Sequence, residues 1–130
     1  MPSIFTKIIN KEIPGYIIAE TDTCIAFLDV FPLAMGHVLI VPKEEIDYIF
    51  SIKDCILTEM ILFSKKISIA IEKAVPCKRI GVAVIGLEVP HAHIHLLPLQ
   101  TVQDINFSRE KLKPSKEELQ KIADLIISYL

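Results

Sequence analysis

Short apolar stretches rich in isoleucine, valine and phenylalanine fill the chain between Tyr16 and Val41. Turn-forming residues separate these stretches, and short runs of β-branched and aromatic residues bounded in this way are typical of β-strands. The pattern predicts three strands, over residues 16–20, 23–29 and 37–41.

A long amphipathic segment follows, from Asp54 to Ala74. Its apolar positions recur three or four residues apart, which places them on one face of a helix. They are Ile56, Met60, Phe63, Ile67 and Ile71. Pro76 is expected to end this helix, because proline cannot continue the backbone hydrogen bonding.

Two further strands are predicted over residues 79–85 and 91–97, the second closed by Pro98. A polar loop is expected over residues 101–114. Ser115 then stands three residues before Glu118, the spacing of a capping box.

The capping box predicts a second helix that runs through Ile122 and Leu125 to the C-terminus. Strands outnumber helices and the connections are short, so the prediction is an α+β fold. We expect an antiparallel sheet of about five strands, covered by one long helix and a C-terminal helix.

The composition favours one globular domain over residues 1–130 and excludes some classes of partner. The chain has 130 residues, of which 52% are apolar, and its formal net charge is -2. Nucleic acid and anionic membranes normally require a basic face, so neither is an expected partner, and phosphate recognition must be local. The three cysteines form no Cys-x-x-Cys pair and, with no secretory leader in the sequence, indicate free thiols in the cytoplasm.

All four histidines fall in two of the predicted strands. His91, His93 and His95 alternate with apolar residues, so their side chains project from one face while Ala92, Ile94 and Leu96 face the core. A packing role would require a hydrogen-bond partner for every buried ring. Three imidazoles about 6 to 7 Å apart along one strand are better suited to contacting one small anion or metal.

Such a cluster suits attack on phosphorus. A neutral ring nitrogen of the middle histidine can displace a leaving group to form a phospho-histidine, which water then hydrolyses. The flanking imidazoles can bind the anionic oxygens and help to protonate the leaving atom. A zinc site is an alternative of a different kind, because a His-x-His pair with a further histidine from an adjacent strand is a known ligand set.

The run HAHIHLL at residues 91–97 resembles the signature of the histidine triad (HIT) family. Two further blocks, at residues 4–14 and 26–43, match the branch related to the nucleoside phosphoramidases. The resemblance covers residues 3–97 and leaves 99–130 as a C-terminal extension. It implies a HIT-like fold, a homodimer that uses the long helix and its neighbouring strand, and no metal or other cofactor.

The resemblance also implies catalytic roles. His93 would attack the α-phosphate of a nucleotide to form a nucleotidyl-histidine, and His95 would bind phosphate near the leaving group. His91 would orient the nucleophile, and His37 would hydrogen-bond to His91 from the neighbouring strand.

The nucleoside would lie in a pocket implied by the same resemblance. Ile8, Phe27 and Val30 match the apolar residues that contact it, and Asp29 matches the acidic residue that binds the ribose hydroxyls. On the residues alone, the apolar three can equally belong to the core, and Asp29 can be a turn residue.

The chain departs from the family pattern at two places. Glu44 and Glu45 stand where a histidine often follows the third strand, and Glu88 replaces a hydroxyl residue that helps to hold the phosphate. A carboxylate repels phosphate unless it points away or is paired. Three functions therefore stay open: a hydrolase of nucleoside phosphoramidates, a hydrolase of dinucleoside polyphosphates, and a nucleotide-binding protein with little turnover.

Overall fold

A five-stranded antiparallel sheet forms the centre of the computed structural model, which describes residues 2–130. In chain order the strands are β1 (Ile17–Glu20), β2 (Cys24–Leu28), β3 (Val38–Pro42), β4 (Arg79–Ala83) and β5 (Ile94–Leu99). Their spatial order is β1-β2-β3-β5-β4, and every neighbouring pair is antiparallel. The predicted α+β class and the five strands are confirmed.

The two faces of the sheet carry different apolar clusters. The even-numbered side chains of β2 and β3 belong to the main core, which α2 (Asp54–Ala74) and α3 (Lys116–Ile127) cover. The odd-numbered side chains pack with Phe5 of α1 (Ile4–Ile9) on the opposite face. Because both faces are covered, every residue of β2 and β3 is buried.

This alternation decides where the histidines lie. Ala92, Ile94 and Leu96 belong to the main core, as predicted. Leu39 pairs with His95 across β3 and β5, and paired residues project from the same face of a sheet. His95 therefore lies on the face that α1 covers.

The predicted strand over residues 91–97 begins too early and ends too soon. Pairing with β3 starts at Ile94, because the backbone N–H of Ala92 donates instead to the carbonyl oxygen of Ile46. Pro98 does not end the strand. Beyond Leu96, β5 no longer pairs with β3 and, within residues 2–130, has only β4 as a neighbour, so one side of its backbone has no strand to bond with. A missing N–H is tolerated at such an edge.

The sequence pattern does not predict three short elements, one α-helix and two 3₁₀ turns. Helix α1 has six residues and begins at the N-cap Ser3, whose Oγ accepts from the N–H of Thr6. Two 3₁₀ turns, Ile49–Ser51 and Val102–Ile105, interrupt segments without regular periodicity, and the second corrects the expected polar loop over 101–114. One or two turns are too short to produce an amphipathic pattern.

The C-terminal helix begins as predicted. Ser115 and Glu118 form both hydrogen bonds of the capping box. The buried face of α3 consists of Leu119, Ala123 and Ile126, whereas Leu125 is exposed. None of the helices within residues 2–130 is long and apolar enough to span a membrane.

We predict that Gly36→Ala destabilises the protein by about 1 to 3 kcal/mol, measured by chemical denaturation. Gly36 precedes His37 with a φ of 94°, and an added Cβ would lie 2.9 Å from Cγ2 of Val75. The cost therefore combines backbone strain with a steric clash.

Gly86→Ala is the matched control. Gly86 also has a positive φ, 75°, but an added Cβ there meets nothing within 4 Å. Equal losses of unfolding free energy in the two variants would show that packing behind Gly36 does not contribute.

Candidate functional site

The four histidines lie side by side and are almost completely buried. Their exposed fractions are 1% for His37, 0% for His91, 6% for His93 and 7% for His95. The ring centroids of His93 and His95 are 4.7 Å apart, and those of His37 and His95 are 5.2 Å apart. The structure thus brings together all four histidines singled out from the sequence.

The hydrogen bond of His93 determines which of its nitrogens is free. Nδ1 of His93 lies 2.7 Å from the backbone carbonyl oxygen of His91. A carbonyl only accepts, so in the neutral ring the proton must be on Nδ1. Nε2 then carries an unshared electron pair.

The ring of His91 has both of its nitrogens occupied. Nε2 lies 2.8 Å from the carbonyl oxygen of Pro42 and must donate to it. Nδ1 consequently accepts from the hydroxyl of Ser3, 2.8 Å away. These two bonds hold the ring of His91 between the end of β3 and the start of α1.

His37 contacts His95, and this corrects the expected hydrogen bond from His37 to His91. Nδ1 of His37 accepts from the backbone N–H of Leu33 at 3.2 Å, so its proton is on Nε2. That proton points to Nδ1 of His95, 2.9 Å away. His37 is adjacent to His95 because β3 and β5 are neighbours, and His91 lies at the other end of β3, beside Pro42.

The chain of hydrogen bonds also defines the outward-facing nitrogen of His95. Since Nδ1 of His95 accepts from His37, the proton of the neutral ring is on Nε2. His93 and His95 therefore present complementary groups, an electron pair on one ring and an N–H donor on the other. The alternation of residues in the sequence does not specify these tautomers, because they depend on hydrogen bonds that only the fold creates.

Burial keeps all four rings neutral. It lowers the pKa of His37 to about 3, where the neighbouring His95, His93 and Lys111 add to the effect. It also lowers the pKa of His95 to about 3. The pKa values of His91 and His93 are lowered as well, mainly by burial.

Glu45 occupies a structural position that the sequence did not reveal. Its carboxylate accepts from the backbone N–H of Ser3 and, at 2.6 Å, from the hydroxyl of Thr6. These hydrogen bonds lower the pKa of Glu45 to about 2. Glu45 therefore fastens the start of α1 beside His91, which explains one departure from the family pattern.

The four residues expected to contact a nucleoside differ in how accessible they are. Asp29 accepts from the N–H of Phe31 at 3.0 Å, and its other oxygen lies 3.7 Å from Nε2 of His37. Val30 is exposed, whereas Phe27 is fully buried against Phe5. Ile8 packs at the edge of the same apolar cluster.

Asp29, His37 and His95 also form a group that could hold a metal ion, because one ligand atom from each lies within 4.8 Å of the others. Burial raises the pKa of Asp29, an effect that the charge of Lys111 opposes. The hydrogen bond between the two histidines accounts for their closeness without a metal.

A cavity of about 450 Å³ opens beside His93. Its walls are mainly apolar and include Tyr48, Phe50, Ile61, Val84 and Ile85. These residues come from the 3₁₀ turn Ile49–Ser51 and the residue before it, from α2 and from the segment after β4, so they lie far apart in the sequence. All five are exposed in the single chain.

A smaller cavity, of about 30 Å³, also adjoins the triad and shares Ile85, Gly86 and His93 with the larger one. His93 and His95 line it together with Glu88 and Phe107. The ring of Phe107 packs edge-on against His95, with centroids 4.6 Å apart. The C-terminal extension therefore contributes Phe107 to the lining of the site.

Comparison with known proteins identifies the family. The model of the HIT domain matches residues 10–102. An uncharacterised HIT-like protein of Borreliella burgdorferi is 34% identical over 128 residues, which cover 92% of each chain. The adenosine 5'-monophosphoramidase of Saccharomyces cerevisiae is 37% identical over 100 residues, 73% of this chain and 61% of the yeast protein.

The fold agrees with these matches. The crystal structure of a HIT-like protein from Bartonella henselae, described as involved in cell-cycle regulation, superimposes with a TM-score of 0.85 at 31% identity. The match covers 98% of this chain and 96% of the other. With its histidine cluster, its sheet and these relatives, the chain belongs to the HIT family.

Proposed function

We propose that this protein is a nucleotide hydrolase or transferase that attacks the α-phosphate of a nucleotide conjugate through His93. The observation that carries the proposal is the free electron pair on Nε2 of His93, which the bond from Nδ1 to the carbonyl of His91 leaves available. Attack would form a nucleotidyl-histidine, and water would release the nucleotide. Membership in the family and the yeast relative's activity support this reading.

The neighbouring rings take different roles in this proposal. His95 directs its Nε2–H at the phosphate near the leaving group, because His37 occupies the other nitrogen. His91 orients the nucleophile through its backbone carbonyl. His37 is a positioning residue that acts through His95.

The nucleoside is proposed to lie beside the 29–30 segment. Asp29 would bind the ribose hydroxyls through the carboxylate oxygen that faces away from Phe31. Val30 offers exposed apolar surface to the base. Phe27 and Ile8 would support the pocket from the apolar cluster below, since Phe27 itself has almost no accessible surface.

The leaving group is the open part of the proposal. The name of the yeast relative favours an adenosine phosphoramidate. Cleavage of a dinucleoside polyphosphate uses the same nucleophile and remains the alternative. Binding with little turnover is the third possibility, since the exposed carboxylate of Glu88 lines the small cavity beside His93.

We predict that His93→Ala abolishes the covalent nucleotide adduct while the fold is retained. The ring faces the site and its neighbours Ala92 and Ile94 form the core, so its removal leaves the main packing intact. Rapid-quench mass spectrometry after mixing with adenosine phosphoramidate and, in parallel, with diadenosine triphosphate should show an adduct of nucleotide mass in the wild type, mapped to His93. An unchanged adduct in the variant would refute the assignment of the nucleophile.

A metal-dependent reaction is the second candidate, because Asp29, His37 and His95 could serve as ligands. Dialysis against a chelator, followed by zinc analysis, separates the two readings. Full turnover by zinc-free protein supports the covalent mechanism. Loss of turnover that added zinc restores would support the metal site instead.

We predict that kcat/KM is not halved at pH 6.5 and declines only at a lower pH. The reactive rings must be neutral, and their lowered pKa values keep them neutral where a free histidine, with its pKa near 6.5, would be half protonated. A halving of kcat/KM at pH 6.5 would contradict this. Circular dichroism at each pH is the control for unfolding. Below pH 6.5 the histidines of the unfolded chain take up protons, whereas His37 and His95 of the folded chain stay neutral to about pH 3, so the free energy of unfolding falls as the pH falls from 6.5 towards 3.

A homodimer is proposed from the exposed apolar surface around the larger cavity. Phe50 is 75% exposed and Val82, on the edge strand β4, is 59% exposed, a combination that single chains in water usually avoid. Light scattering should give twice the chain mass. Phe50→Glu should shift the mass towards the monomer, and a monomeric wild type would exclude the assembly.

A further inference from the structure

The loop after the 3₁₀ turn Val102–Ile105, residues 106–113, is held beside the histidine site by contacts with the turn that precedes His37. The N–H of Leu112 donates to the carbonyl of Pro32 at 2.9 Å. The guanidinium of Arg109 donates to the carbonyl of Leu33 at 3.1 Å. The loop is thus attached to the same turn whose backbone N–H fixes the tautomer of His37.

One side chain of this loop contacts the site, and a second, cationic side chain is held beside it. Phe107 packs on the ring of His95 and forms one wall of the small cavity. The ammonium of Lys111 donates to the carbonyl oxygen of Phe107 at 3.3 Å, so it is held next to that wall. Burial lowers the pKa values of His37 and His95, and the charge of Lys111 adds to this effect; at Asp29 the same charge opposes the rise in pKa that burial causes.

The charges around the triad make this lysine significant. The rings are neutral, and Asp29 and Glu88 bring carboxylates to the site. A nucleotide conjugate needs a positive charge close to its phosphates, and a chain of net charge -2 supplies no general one. Lys111 is a half-buried cation held at the backbone carbonyl of Phe107, the residue whose ring packs on His95.

We infer that Phe107 and Lys111 form the leaving-group subsite of the triad, and that this subsite favours conjugates whose leaving group is a phosphate. The inference rests on the proposed function and extends it to the substrate class. Phe107 would shape the cavity and Lys111 would pair with the phosphate that departs.

The bond changes agree with this preference. Nε2 of His93 forms the bond to phosphorus, and the bond from phosphorus to the bridging oxygen breaks with its electron pair on that oxygen. His93 keeps its Nδ1 proton and becomes a cationic phosphoryl-imidazolium, while the leaving phosphate gains one negative charge. Lys111 and the Nε2–H of His95 stabilise that charge, so no proton has to leave a neutral ring.

An amine leaving group places a different demand on the site, because the departing nitrogen must be protonated. A neutral His95 that gives up its Nε2 proton becomes an unfavourable imidazolate, and Nδ1 of His37 already accepts from Leu33. A positive charge at Lys111 does not help an amine to depart. Selectivity between the two leaving groups should therefore depend on Lys111.

The test compares diadenosine triphosphate with adenosine phosphoramidate in Lys111→Gln and in the matched control Lys113→Gln. Lys113 is an exposed lysine of the same loop, and its replacement changes the net charge equally. We expect Lys111→Gln to lower kcat/KM for diadenosine triphosphate by about tenfold or more, with less than about a twofold change for the phosphoramidate. Lys111→Arg should restore activity, and Lys113→Gln should alter neither substrate.

Equal losses with both substrates, or no loss with either, would overturn the subsite. Calorimetric binding of ADP and AMP gives a second readout that does not require turnover. The wild type should bind ADP more tightly than AMP, and Lys111→Gln should remove that difference. If the difference in affinity between ADP and AMP depends on Lys111 but no adduct forms on His93, the subsite stands and the proposed reaction fails. If an adduct forms on His93 but the two nucleotides bind equally, the proposed reaction stands and the subsite fails.

Discussion

The hydrogen bond between Nδ1 of His93 and the backbone carbonyl of His91 is the contact on which the site depends. It fixes the tautomer of the proposed nucleophile through the backbone, because a carbonyl oxygen can only accept. The bond forms within one short segment, two residues apart, and needs no distant partner. What the rest of the fold must do is hold the carbonyl, the ring and the neighbouring rings in one arrangement, and the elements around the sheet meet that requirement.

Each neighbouring ring is held by a different part of the chain. Ser3 and the end of β3 fix His91, and the turn at Leu33 fixes His37, which in turn fixes His95. Every side chain of the group is buried and hydrogen-bonded, so none retains a free choice of tautomer. Preorganised groups of this kind need little rearrangement when charge develops on a bound phosphate.

Much of the architecture could be predicted because it follows from local patterns. The bounds of α2 were predicted to the residue from apolar spacing, and the start of α3 from the capping box at Ser115. The shared face of the histidines followed from strand alternation. These features depend on neighbours along the chain, which a sequence displays directly.

The remaining features depend on contacts between distant segments. Glu45 departs from the family pattern, yet its carboxylate accepts from the N-cap of α1, 42 residues away in the chain. The family resemblance implies a hydrogen bond from His37 to His91, but the strand order places His37 beside His95. The contribution of Phe107 arises from a loop without periodicity, and only its packing on His95 reveals it.

The central claim is that His93 carries its proton on Nδ1 and leaves Nε2 free to attack. Nitrogen-15 NMR of histidine-labelled protein at neutral pH measures this directly, because protonated and unprotonated ring nitrogens have well-separated shifts, and His93→Gln assigns the signal. The account predicts an unprotonated Nε2 and a protonated Nδ1 for His93. A protonated Nε2 in the resting protein would contradict it, because the proposed nucleophile would then have no electron pair to donate.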